Sequence, residues 1–150
     1  ATLLMAGLLA TLAAPRLTDL RLRSARTEAF LNIKGIAQAE LAYYELHQEF
    51  VHTEGNPPGT PGSGLRTWNS EVPGWSEMDW KPDGKVRCRY RARKRKRVEG
   101  TWVRVFGICD LDADGVRSSW MMDVDPAGVH PRSQHMVLRP SNATAQNNLY

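Results

Sequence analysis

Catalytic signatures are the first thing missing from this sequence. The 150 residues contain no Gly-x-Ser-x-Gly elbow, no P-loop and no dinucleotide-binding glycine fingerprint. The four histidines, His47, His52, His130 and His135, show no metal-ligand spacing. The chain therefore reads as a non-enzyme. Cysteine is nearly absent: Cys88 and Cys109 are too few for a disulfide scaffold and cannot complete a four-ligand zinc site. Between Arg16 and Val51 there is no proline and a single glycine, Gly35, which excludes turns from that stretch. Acid is missing before Asp19 and again from Lys85 to Arg97. The net charge of +4 is mild, but its basic residues are clustered.

What is present begins with an apolar run, Ala1 to Ala14. About 14 residues of helix cover about 21 Å, against a hydrocarbon core of ~30 Å, so the run alone is short for a span. It has no basic segment in front, as a signal peptide would. The favoured reading is a span whose first residues lie upstream of Ala1. Pro15 would bend or open the helix there. Arg16 to Arg26 is amphipathic and basic, which suits either the anionic zone flanking a membrane or a solvated helix face.

From Glu28 the helical signal strengthens. Phe30, Ile33, Ala37, Leu41 and Tyr44 form one stripe, and Ala25, Ala29, Ile36, Tyr43 and Phe50 a second. Two stripes exceed the arc that one small domain needs, so one face can pack on the head and the other on a neighbouring copy. Residues 54–64 are a Pro/Gly-rich surface loop. Trp68, Trp75 and Trp80 follow as packing anchors. Lys85 to Arg93 alternates with period two, Val86, Cys88, Tyr90 and Ala92 facing one way and arginines the other. Turns at Arg97–Gly100 and Asp110–Gly115 then set off strands at 101–109 and 116–124. Residues 126–150 read as an irregular tail, with a short strand at His135–Leu138.

The predicted fold class is α+β: a long N-terminal hydrophobic helix, bent or melted near Pro15, packed on a small antiparallel β-meander head of about three to four strands. Residues 1–52 make the helix, with 1–26 the membrane or filament-core part and 27–52 the part on the head. Residues 53–150 make the head.

Three constellations are candidate sites. Asp110, Asp112 and Asp114 with Gly115 form D-x-D-x-D-G, and the carbonyl of Val116 can add a ligand. Calcium fits this oxygen set. The Glu that ends an EF-hand loop is missing, its place taken by Met121, and a plain Asp-Gly hairpin turn fits the same residues. Cys88 and Cys109 fall directly opposite each other if Arg97–Gly100 turns the chain, close to disulfide reach; two buried thiols are the alternative. Nine of the thirteen residues from Lys85 to Arg97 are basic. Arg87, Arg89, Arg91 and Arg93 form either a polyanion-binding row, for DNA or an anionic surface glycan, or a solvated face that blocks edge pairing. Asn142-Ala-Thr144 matches a glycosylation acceptor.

Ala10-Thr-Leu-Ala-Ala-Pro15 and the Ser-Ala-Arg-Thr-Glu-Ala-x6-Ile-Ala-Gln-Ala-Glu-x-Ala-Tyr run of residues 24–43 resemble the N-terminal helix of type IV pilins and type II secretion pseudopilins. Trp80-Lys-Pro-Asp-Gly-Lys and Cys109-Asp-Leu-Asp-Ala-Asp-Gly-Val resemble the pilin head more loosely. Family members begin with a methylated aromatic or Met residue and carry an acid a few positions in. Matching Pro15 to the family's helix proline sets Ala1 several residues inside the mature N-terminus.

The resemblance implies a structural subunit that is made as an inner-membrane precursor, cut by prepilin peptidase and handled by pilus assembly machinery. It then joins a helical homopolymer at the cell surface, serving adhesion or motility. Leu3, Leu4, Leu8, Leu9, Leu12, Pro15, Phe30, Ile33 and Ala37 would pack the filament core. The alternatives are a secretion-system pseudopilin and a membrane-tethered module binding DNA or glycan. Some relatives bind calcium in the head.

Overall fold

The computed structural model describes the backbone of residues 2–138 and the side chains of Leu20 and of residues 22–130. Helix α1 (Thr2–His47) is followed by one helical turn, α2 (Trp75–Met78), and four strands: β1 (Arg89–Arg97), β2 (Gly100–Cys109), β3 (Arg117–Asp125) and β4 (Gly128–Leu138). The strands form one antiparallel sheet in the order β1-β2-β3-β4.

The helix corrects the predicted fold class. No helix among the described residues is long and apolar enough to cross a membrane. Over residues 22–47, Arg23, Arg26, Glu28, Lys34, Glu40 and Glu45 recur too closely to leave an apolar stretch of membrane length. Over residues 22–47 α1 is thus an amphipathic helix on the head, not a long hydrophobic one. Its helical assignment also runs through Pro15 without the opening expected there. The side chains of Leu3, Leu4, Leu8, Leu9, Leu12 and Pro15 lie outside the described residues, as does the Asn142–Thr144 acceptor.

The two predicted stripes merge into one buried face. Ala25, Ala29, Ile33, Ile36, Ala37 and Glu40 are all buried, while Phe30 is 49% exposed. At about 100° per residue, Ala29, Ile33, Ile36 and Glu40 sit at the centre of the buried face, whereas Phe30 lies at its edge, about 90° round the helix from that centre. The helix meets the sheet over Gly107, where a Cβ would lie 2.8 Å from Ile33 Cδ1. At its other end Gln48 adopts φ 58 and its amide donates to the Tyr44 carbonyl at 2.8 Å, closing the last turn.

β1 alternates as its sequence suggests: Tyr90 and Ala92 are buried under the helix, and Arg93, Arg95 and Arg97 are exposed. Arg97 pairs with Gly100 across the two-residue turn Val98-Glu99. β4 is longer than the short strand expected at 135–138. It pairs with β3 from the Asp125↔Gly128 register onward, with an irregularity between Ser119 and Met121. Trp68, Trp75 and Trp80 pack on one another with ring centroids 4.7–5.8 Å apart, and Trp75 Nε1 donates to the Glu54 carbonyl at 2.8 Å. Their faces are used in packing.

Candidate functional sites

The cysteine pair is settled. Cys88 and Cys109 are disulfide-bonded, with Cα atoms 4.4 Å apart and both residues fully buried. The bond ties the approach to β1 to the end of β2, in line with the Arg89↔Ile108 register.

The loop that leaves Cys109 gathers the three aspartates. Carboxylate oxygens of Asp110, Asp112 and Asp114 lie within 4.8 Å of one another. The loop's own amides hold two of them: Gly115 N–H donates to Asp110 Oδ2 at 3.2 Å, and Val116 N–H to Asp114 Oδ1 at 2.7 Å. Ala113 and Gly115 take positive φ, which wraps the chain tightly enough to bring alternate carboxylates together. Asp110 is only 6% exposed, and its Oδ1 is buried without a hydrogen-bond partner, as is Oδ1 of Asp112. Burial and the adjacent Asp114 and Asp110 carboxylates raise the Asp112 pKa above its ordinary value. A buried acceptor left unsatisfied beside two further carboxylates is a costly arrangement that a hard cation would relieve. Asp112 also borders an open cleft between the loop and α1, lined by Leu22, Ala25, Arg87 and Leu111.

The basic residues divide by strand face. Arg87 leaves the predicted row: its side chain pairs with Glu28 of α1 at 3.2 Å, and its amide donates to the same carboxylate at 2.9 Å. Lys94 points to the helix side and pairs with Glu49 at 2.6 Å. Arg89, Arg91, Arg93, Arg95 and Arg97 share the face away from the helix. There Arg91 covers Phe106 at 5.0 Å from the ring centroid, and Trp102 lies between Arg97 (4.4 Å) and Arg104 (4.9 Å). Arg104 is held by Asp123 in a bidentate pair of 2.6 and 2.9 Å, which raises its pKa.

Several working residues were not singled out from the sequence. Glu28 ties the segment just before β1 to the helix through Arg87. Glu40 is fully buried, with Oε2 accepting from the Val51 amide at 3.0 Å and Oε1 unpartnered. Its pKa is pushed up to about 7, chiefly by burial. A signal for Glu40 was available: it stands four residues after Ile36 and seven after Ile33, on the buried stripe. Arg66 carried no such signal, because its neighbours come from the loop fold. Of the predicted filament-core residues with described side chains, Ile33 and Ala37 are buried within the head contact and Phe30 is exposed.

Compared with family models, curated proteins and solved structures, the chain matches none of them.

Proposed function

We propose that the chain is a structural subunit of the type IV pilin kind, polymerising through its N-terminal helix into an extracellular filament for adhesion or motility. The observation that carries this reading is the unpaired side of α1. Leu20 is 60% exposed and Leu31 59%. They stand about three turns apart on one line of the helix, roughly opposite the buried Ala29 and Ile36, with Phe30 beside them. The head occupies one face of α1 and leaves these two exposed leucines, set among polar residues, for a neighbouring copy. The disulfide agrees with an exported chain, since such bonds persist in oxidising compartments. Processing by prepilin peptidase and handling by pilus assembly machinery follow from the resemblance of residues 10–43.

The reading includes a calcium ion on Asp110, Asp112 and Asp114 in the head. The unpartnered Oδ1 atoms of Asp110 and Asp112 support it.

Negative-stain microscopy of material sheared from producing cells, with mass spectrometry of the pellet, tests the assembly. Filaments made chiefly of this chain are expected. The double variant L20E/L31E should secrete or accumulate folded heads but no filaments. Wild-type cells with no filaments, or filaments undiminished in the variant, would overturn the reading.

A further inference from the structure

The outward face of β1 carries a row of cations with almost no counter-charge. Arg89, Arg91, Arg93, Arg95 and Arg97 repeat every second residue, about 6.6–6.8 Å apart along the strand. Lys96 is exposed at the same end of the strand, on the opposite face. Most carboxylates of the region are paired elsewhere: Asp123 with Arg104, Asp125 with His130 at 3.0 Å, Glu49 with Lys94; Glu99 and Asp125 share a cleft with Arg97 at the end of the row. Glu54 is the one carboxylate whose field reaches Arg91.

Arg66 lies close to Arg89 near the start of the row. Bridges Asn56↔Tyr90 and Arg66↔Val86 bring the loop beside β1. Arg66 Nη1 donates to the carbonyls of Pro57 and Pro58 at 3.4 and 3.2 Å, and the Arg89 guanidinium lies directly against Gly55. The Nε atoms of Arg66, Arg89 and Arg91 are buried and have no hydrogen-bond acceptor. Burial and the neighbouring arginines depress the pKa of both Arg66 and Arg91. These groups repel one another.

We propose that this row is a binding track for the phosphate backbone of a nucleic-acid duplex, contacted without regard to sequence. The row is nearly all arginine, whose planar fork pairs bidentately with phosphate oxygens, as it does with carboxylates. One observation favours the duplex among polyanions. The aromatic rings on this face are already covered, Phe106 by Arg91 and Trp102 by Arg97 and Arg104, so no open ring remains among them to stack unpaired bases. Contact by charge alone fits a duplex, whose bases are enclosed and whose phosphates are outside. The track does not depend on assembly: a subunit that never polymerises still presents it.

Fluorescence anisotropy of a labelled 20-base-pair duplex of arbitrary sequence, titrated with the purified chain across 50–200 mM salt, tests the proposal. Binding with a log–log salt slope of about −3 to −4 is expected, corresponding to four or so neutralised phosphates. The exposed-residue variant R93Q/R95Q/R97Q should bind at least 30-fold more weakly at 50 mM salt and lose about three from the slope. R87Q, whose arginine serves Glu28 instead, should keep the wild-type slope. Circular dichroism and the melting temperature check that each variant is folded, and R95Q alone repeats the test with a single change. No duplex binding at 50 mM salt would overturn the proposal. So would wild-type binding by the triple variant, or binding of heparin with none of duplex, which would make the track a polysaccharide site.

Discussion

Ile33 fills the space above Gly107. A Cβ at Gly107 would fall 2.8 Å from Ile33 Cδ1 and 3.2 Å from Tyr90 Cε1, so any larger residue here forces the Ile33 side chain to shift. Gly107→Ala should destabilise the chain by about 1–3 kcal/mol through overpacking, read as a lower urea midpoint. Ile33→Ala alone should cost about 2–5 kcal/mol. The double variant should lose less than the sum of the two, because the smaller side chain at 33 makes room for the methyl. Strict additivity would show that the contact is not the cause.

Glu40 makes stability depend on pH. Its folded pKa of about 7 exceeds the ordinary 4.5, so the native state holds this proton more tightly than the unfolded chain. The contribution is therefore complete below pH 4.5 and is lost as pH rises through 7. Across that window it amounts to on the order of 3 kcal/mol. Subtracting the pH–stability curve of Glu40→Gln from that of the wild type should isolate this fall. A difference curve that is flat from pH 4.5 to 8 would show that the carboxyl titrates normally.

Cys88 and Cys109 are 21 residues apart in sequence. A chain-entropy treatment of a loop of that length gives about 3 kcal/mol of stabilisation. Reduction, or the variant C88S/C109S, should lower the unfolding free energy by about that much in denaturant titrations, and oxidised wild type should show no free thiol.

Calcium should raise the melting temperature. With a dissociation constant in the range of about 10⁻⁴–10⁻³ M, ~10 mM calcium contributes about 1.4–2.7 kcal/mol. Chelation should reverse the shift, and Asp112→Ala should remove it while leaving the chelated protein folded. Equal melting temperatures with calcium and with chelator would remove the ion from the account.

Period-two alternation made β1 and its two faces legible in the sequence, and turn chemistry at Val98-Glu99 and Asp110–Gly115 fixed the hairpins. The opposition of Cys88 and Cys109 followed from that register. The helix was harder to read. Its terminal apolar run suggested one hydrophobic rod, but charges from Arg23 onward make residues 22–47 an amphipathic cover for the sheet, and helical spacing alone grouped Phe30 with Ile33. The first half of β4 was missed because Val129, His130 and Pro131 give no alternation, and pairing with β3 supplies what local preference does not. The salt bridge that withdraws Arg87 from the arginine row depends on Glu28, 59 positions away, and such a pairing cannot be seen in either local pattern.

The strand order has a kinetic meaning. Each strand of the β1-β2-β3-β4 meander pairs with its neighbour in sequence, so the sheet can close through hairpins that span few residues, with little loop entropy to overcome at each step. Docking α1 onto β2 and β3 requires contacts across most of the described chain. The sheet should therefore form early and the helix settle late. During that interval the buried stripe of α1 is open, and other apolar surfaces compete with the chain's own sheet for it.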